Sequence, residues 1–201
     1  MKNFLITQNL IKNKTLQFSL EKNWFDYATK LNINLFPLGY KTFNKKLIAS
    51  IKFEGVIFSG GNDLFKISRK KENYLRDNFE VKLLKYALAN NKKIIGICRG
   101  FQFIANYFNN QIIKIDNHVK KKHKVNILNN TLINSKYLYT NSYHNYGFKS
   151  LNKNFEVIAI SNDENIEIAI NKKNKILCFM FHPERRNFSQ YKIDKLLKNF
   201  I

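Results

Sequence analysis

The first apolar segment, Phe4-Leu5-Ile6-Thr7, is short and flanked by polar residues, which predicts a β-strand. From Leu16 to Leu31, apolar residues at Leu20, Trp24, Tyr27, Ala28 and Leu31 recur at helical spacing and predict an amphipathic helix. Ile33 to Pro37 reads as a second strand stopped by its proline, and a short helix around Asn44 to Ser50 leads to a third strand, Val56-Ile57-Phe58. Residues 69–90 form a long charged helix, with Tyr74, Phe79, Val81, Leu84, Ala87 and Leu88 on or near its buried stripe. A β-branched run at Ile94 to Ile97 follows, and then a second apolar-periodic stretch that ends near Asn109-Asn110.

Farther on, Ile112 to Ile115 and Val125 to Leu128 alternate like exposed edge strands. Residues 140–147 form a polar segment with neither period, expected as a loop. Phe155 to Ile160, Ile166 to Ile170 and Ile176 to Phe181 read as three strands, and Ile193, Leu196, Leu197 and Phe200 mark a closing helix. Strands alternating with helices predict an α/β fold with a mostly parallel central sheet and helices on both faces. No repeat, linker or low-complexity segment divides the 201 residues, so a single domain over 1–201 is expected.

Composition alters this picture in two places. With 44% hydrophobic residues the chain is not a disordered one, and no apolar run approaches a membrane span or a signal peptide, so a cytoplasmic location is expected. The formal net charge of +21 raises nucleic-acid binding as a reading. Lysine spread over the whole chain supplies it, and the densest cluster, Lys120 to Lys124, lacks the interleaved aromatics of a strand-stacking surface. Neither nucleic acid nor membrane is expected as a partner. A cationic surface instead raises encounter rates with an anionic small molecule.

Gly96-Ile97-Cys98-Arg99-Gly100 holds a cysteine between two glycines where strand gives way to helix. That is the layout of a nucleophile elbow with a thiol as nucleophile, placed where a helix amino terminus favours thiolate. A buried cysteine after a core strand is the alternative reading. Cys178, inside Ile176 to Phe181, reads as core, and no zinc spacing of paired cysteines exists. Ser59-Gly60-Gly61-Asn62-Asp63 follows another strand, at the end of the sheet where ligands bind in open α/β folds. An N–H of Gly60 or Gly61, with that of Arg99, would form a two-donor oxyanion hole.

His182-Pro183-Glu184 leaves the last strand, and in an extended run its first and third side chains point to one side. Nucleophile, base and orienter are then all present. Arg76, Asp77 and Glu80 lie one turn apart, either as an exposed charge group or as ties near the elbow. His118 and His123 stand five apart across a lysine run with no further ligand in view, so they are expected to be solvated and no metal is expected.

These segments, with Gln102 and Asn141-Ser142-Tyr143-His144, resemble the class I glutamine amidotransferase superfamily, and within it the stand-alone gamma-glutamyl hydrolases. The resemblance covers nearly the whole chain and implies a flavodoxin-like sheet. It implies Cys98 as nucleophile, His182 as acid–base and Glu184 as its orienter, with Gly60, Gly61 and Arg99 at the oxyanion. It further implies Gln102, Asn141, Ser142, Tyr143 and His144 around the glutamyl group, and no cofactor. Asn145 stands where the family often carries a second histidine, and Ser59 where proline is common, departures that touch substrate range and not the triad. Arg185 and Arg186 after Glu184 suit an anionic leaving group such as a nucleotide conjugate, or else are a solvated pair. The alternatives within this chemistry are a hydrolase of gamma-glutamyl amines and a glutaminase subunit feeding a separate synthase.

Overall fold

Along β1 (Lys2–Thr7) the side chains alternate between two apolar clusters, Phe4 and Ile6 in one and Leu5 in the other. This strand is therefore buried on both faces, as parallel strands under helices are. The computed structural model describes residues 1–40 and 44–201. After β1 come the hairpin β2 (Asn9–Lys12) and β3 (Leu16–Ser19), α1 (Asn23–Leu31), β4 (Ile33–Leu38), α2 (Lys45–Ser50) and β5 (Gly55–Phe58). Then follow α3 (Phe65–Ser68), α4 (Lys71–Ala89), β6 (Lys93–Ile97) and α5 (Arg99–Tyr107). The remainder is mostly strand: β7 (Ile113–Lys114), β8 (Val119–Ile127), β9 (Tyr137–Tyr143), β10 (Tyr146–Gly147), β11 (Glu156–Ser161), β12 (Ile166–Asn171) and β13 (Ile176–Phe179), closed by α6 (Gln190–Phe200).

Nine of these strands form one sheet in the order β4-β1-β5-β6-β13-β12-β11-β8-β9. The five from β4 to β13 are parallel, and β12, β11, β8 and β9 extend them antiparallel. Trp24 and Leu31 of α1 and Ile193 and Leu197 of α6 pack on one face, while Leu83 and Leu84 of α4 and Phe101 and Ile104 of α5 pack on the other. The carboxyl ends of β5 and β6 consequently open between helix layers, next to the end of β13. Among the described residues no helix is long and apolar enough to cross a membrane.

Three expectations are corrected by tertiary pairing. Leu16 to Ser19 is not the start of α1 but one strand of a hairpin, in register Leu10 opposite Phe18. Its residues alternate with period two, and burial of Leu10 against the second cluster decides the matter. Residues 140–147 are largely strand, because β9 pairs along the whole of β8 and so satisfies a backbone that its polar side chains do not reveal. That pairing turns His118 and His123 inward over β12: His118 is buried, and its ring lies 4.9 Å from that of His123 and 4.8 Å from that of His144.

Candidate active site

Cys98 directly follows β6 and occupies the N-cap position of α5 with φ 52° and ψ −107°, a backbone conformation that non-glycine residues rarely adopt. Two bonds hold it there: its N–H donates to Phe179 O at 2.7 Å, and its carbonyl accepts from Gln102 N at 3.1 Å. Gly100 permits the bend, since a Cβ on it would fall 1.9 Å from Phe58 O of the neighbouring strand. The strained corner turns the thiol out of the sheet toward the loop after β5 and the segment after β13. The other cysteine, Cys178, is buried among apolar neighbours that push its thiol pKa up, and it belongs to the core.

His182 lies across from Cys98. Its Nδ1–H donates to Glu184 Oε1 at 2.7 Å, both groups being buried. A Cβ on Gly60 would sit 2.6 Å from His182 Cε1 and 3.5 Å from Cys98 Cβ, so glycine at 60 leaves the space in which imidazole and thiol approach each other. The histidine and glutamate meet through a turn and not through an extended run, for Arg185 N donates back to His182 O at 3.2 Å with Pro183 at the corner. Burial works to lower the His182 pKa, but Glu184 and the Cys98 sulfur outweigh it and push it up to about 10. A histidine between two acidic groups is favoured as imidazolium.

Behind the pocket lies a chain of ion pairs. Arg76 Nε donates to Glu80 Oε1 at 2.9 Å, and Arg99 pairs with the other oxygen of Glu80 and with Asp77. Arg76 continues to Ser59 O at 2.8 Å and Gly60 O at 3.1 Å. The helical charge group is thus a buried tie between α4, the elbow and the glycine loop. With their carbonyls engaged by Arg76, Ser59 and Gly60 are held in one orientation beside the thiol.

The cleft in front of Cys98 encloses about 280 Å³, near the small end of the range for small-molecule sites. Gly61, Arg99, Gln102, Tyr143, His144 and Arg185 line it together with Cys98 and His182. Gln102 is set by donating to Tyr146 O at 2.9 Å. Arg185 stacks its guanidinium 4.5 Å from the centre of the Tyr143 ring and pairs with Glu21, while Arg186 is exposed. The side chains of Asn141 and Ser142 do not line the cleft. Asn141 pins His182 from behind, accepting from His182 N at 2.9 Å and donating to His182 O at 2.8 Å, and Ser142 Oγ donates to His118 O at 2.6 Å.

Several contributors left no mark in the sequence. Thr7 accepts from Ser59 N on its hydroxyl at 3.1 Å, and Asn187 accepts from Asn141 N on its side-chain oxygen at 2.8 Å. In a chain this rich in asparagine, a single further Asn carries no signal. Glu21, which orients Arg185 from 164 residues away, is equally invisible.

The sequence profile of the family "Glutamine amidotransferase class-I" matches residues 15–201. The chain belongs to the class I glutamine amidotransferases. It is 33% identical over 191 residues to the gamma-glutamyl-CDP-amidate hydrolase of Campylobacter jejuni, covering 90% of each chain. It is 36% identical over 114 residues to anthranilate synthase component 2 of Helicobacter pylori, covering 51% of this chain and 55% of the relative. The fold is shared with a glutamine amidotransferase of Thermotoga maritima, at a TM-score of 0.69 and 16% identity over 91% of this chain and 76% of that one.

Proposed function

We propose that this protein is a cysteine-dependent hydrolase of a gamma-glutamyl amide bond, and that its substrate is gamma-glutamyl-CDP-amidate, cleaved to glutamate and cytidine diphosphoramidate. The observation that carries the hydrolase reading is the strained Cys98 facing a histidine that is locked by Glu184. The substrate reading is supported by the relative in Campylobacter jejuni and by Arg185 at the cleft, a residue suited to a diphosphate. The product would then serve modification of a capsular polysaccharide.

In this reading the Cys98 thiolate attacks the γ-carbonyl carbon, and the carbonyl electron pair moves to oxygen. Backbone N–H groups of Arg99 and of Gly60 or Gly61 stabilise that oxyanion. As the intermediate collapses the C–N bond breaks, and imidazolium His182 gives its Nε2 proton to the departing nitrogen. A glutamyl thioester remains. Water then attacks the thioester carbon, His182 takes the water proton, and the thiolate leaves glutamate behind. Gln102, Tyr143 and His144 surround the glutamyl group, and Arg185 faces the leaving group.

The test is glutamate release by the protein beside its Cys98→Ala variant, with gamma-glutamyl-CDP-amidate, gamma-glutamyl amines and glutamine offered in parallel. Release from the nucleotide conjugate alone, abolished in the variant, is expected. Release chiefly from the amines overturns the nucleotide assignment, and release only in the presence of an added synthase would mark a glutaminase subunit. Unchanged release in the variant overturns the cysteine mechanism.

A further inference from the structure

Glu167 of β12 is wholly buried, and neither of its carboxylate oxygens has a hydrogen-bond partner. A carboxylate in that position is costly unless a cation compensates it. Three imidazole nitrogens converge on one of its oxygens. His118 Nδ1, His123 Nε2 and His144 Nε2 each lie 3.6 Å from Glu167 Oε1. That separation is beyond an ordinary hydrogen bond. It is close to what two ligands of one metal ion show, because zinc bonds of about 2.0–2.2 Å at tetrahedral angles place ligand atoms roughly 3.3–3.5 Å apart.

The outer faces of the rings fit the same purpose. His118 directs Nε2 at the Asp163 carboxylate, 3.1 and 3.2 Å from its two oxygens, and His144 donates Nδ1–H to Tyr146 O at 3.2 Å. The His144 bond places that ring's proton on the outside and leaves its inner nitrogen as a lone pair, the arrangement by which metal-binding histidines are oriented, while His118 also has Ser142 Oγ 3.4 Å from Nδ1 and Asn165 Nδ2 3.3 Å from Nε2. The inner nitrogens of His123 and His144 have no hydrogen-bond partner. Ligand atoms of His118, His144 and Glu167 all lie within 4.8 Å of one another.

We propose that His118, His123, His144 and Glu167 bind one zinc-class divalent cation. Three imidazoles and a carboxylate suit zinc and disfavour magnesium or calcium, which take oxygen ligands. Four protein ligands make a closed, structural site. The ion ties β8, the segment after β9 and β12 together, and since His144 also lines the cleft it fixes the wall that carries Tyr143. This inference stands apart from the choice of substrate.

The test uses full-length protein carrying Cys98→Ser, so that zinc has no catalytic thiol to bind. The protein is stripped with a chelator and titrated with zinc while bound metal and melting temperature are followed. About one zinc per chain is expected, with a rise in melting temperature of several degrees at saturation. Asp163→Ala, in an exposed turn, should weaken zinc binding about 10- to 100-fold, with the zinc-dependent rise in melting temperature measured against the same variant's stripped form. Glu167→Gln should abolish binding, and His123→Ala replaces it as the test if the glutamine variant does not fold. Absence of stoichiometric zinc, or zinc binding unaffected by these substitutions, overturns the proposal.

Discussion

Arg99 turns its side chain away from the cleft and pairs with Glu80, a residue without solvent exposure that also holds Arg76. One carboxylate thus serves two buried guanidinium groups, and Arg76 in turn grips the carbonyls of Ser59 and Gly60. Removing one partner of a buried charge pair costs about 3–5 kcal/mol, because the remaining charge is left uncompensated. Glu80→Gln should therefore lower the unfolding free energy measured by urea by an amount in that range. A loss below about 1 kcal/mol would mean that Asp77 alone balances both arginines.

Asn141 is expected to act through His182 and not through substrate. Asn141→Ala leaves the N–H and the C=O of His182 without this partner, at about 1–3 kcal/mol. In steady-state kinetics kcat should fall while KM changes little, because the displaced group is the acid of the proposed mechanism and not a substrate contact. A rise in KM at constant kcat would instead place Asn141 at the substrate.

The raised pKa of His182 gives a direction for pH. The folded value is about 10 against an ordinary 6.5, so the stability gained from its protonation is complete below about pH 6.5 and is lost as pH rises through about 10. Wild-type stability measured by urea should decline across that window relative to His182→Gln. Activity should fall above about pH 10, where no proton remains for the leaving nitrogen. An equal stability gap between the two proteins at pH 6 and pH 10 would show that His182 holds no raised proton.

In the proposed reaction Arg185 distinguishes the leaving half of the substrate from the acyl half. Arg185→Gln should raise KM for gamma-glutamyl-CDP-amidate about tenfold or more, the loss of a charge-assisted contact of about 1.5–3 kcal/mol, and leave release from uncharged gamma-glutamyl amines unaltered. Parallel KM measurements on the two substrates check this. Equal effects on both would make Arg185 a support for Tyr143, on whose ring it lies.

Relationships between residues close along the chain, or carried on one regular element, are legible in the sequence. Gly96 to Gly100 announces a strand, a tight turn and a helix because only a residue without Cβ can stand 1.9 Å, at that Cβ position, from the Phe58 carbonyl. His182 and Glu184 are two residues apart, so their pairing is local even though a turn and not a strand brings it about. Arg76 and Glu80 share a helix face, yet the spacing left open whether water or the elbow surrounds them. Leu16 to Ser19 misled because four residues fit a helical and an alternating pattern alike, and the choice was made by a partner strand.

Local backbone geometry and short-range periodicity are enough to specify the parallel core, the strained corner at Cys98 and the pairing of His182 with Glu184. What surrounds them came from long-range packing. Packing set Arg76 against the glycine loop, Asn141 behind His182, and Glu21 on Arg185. It also gathered His118, His123 and His144 around Glu167, from one strand and the loops beside it to another strand deep in the sheet. Histidines on an alternating, lysine-rich strand look solvated until sheet pairing determines which face is buried, and a single slip of register would have turned that face outward.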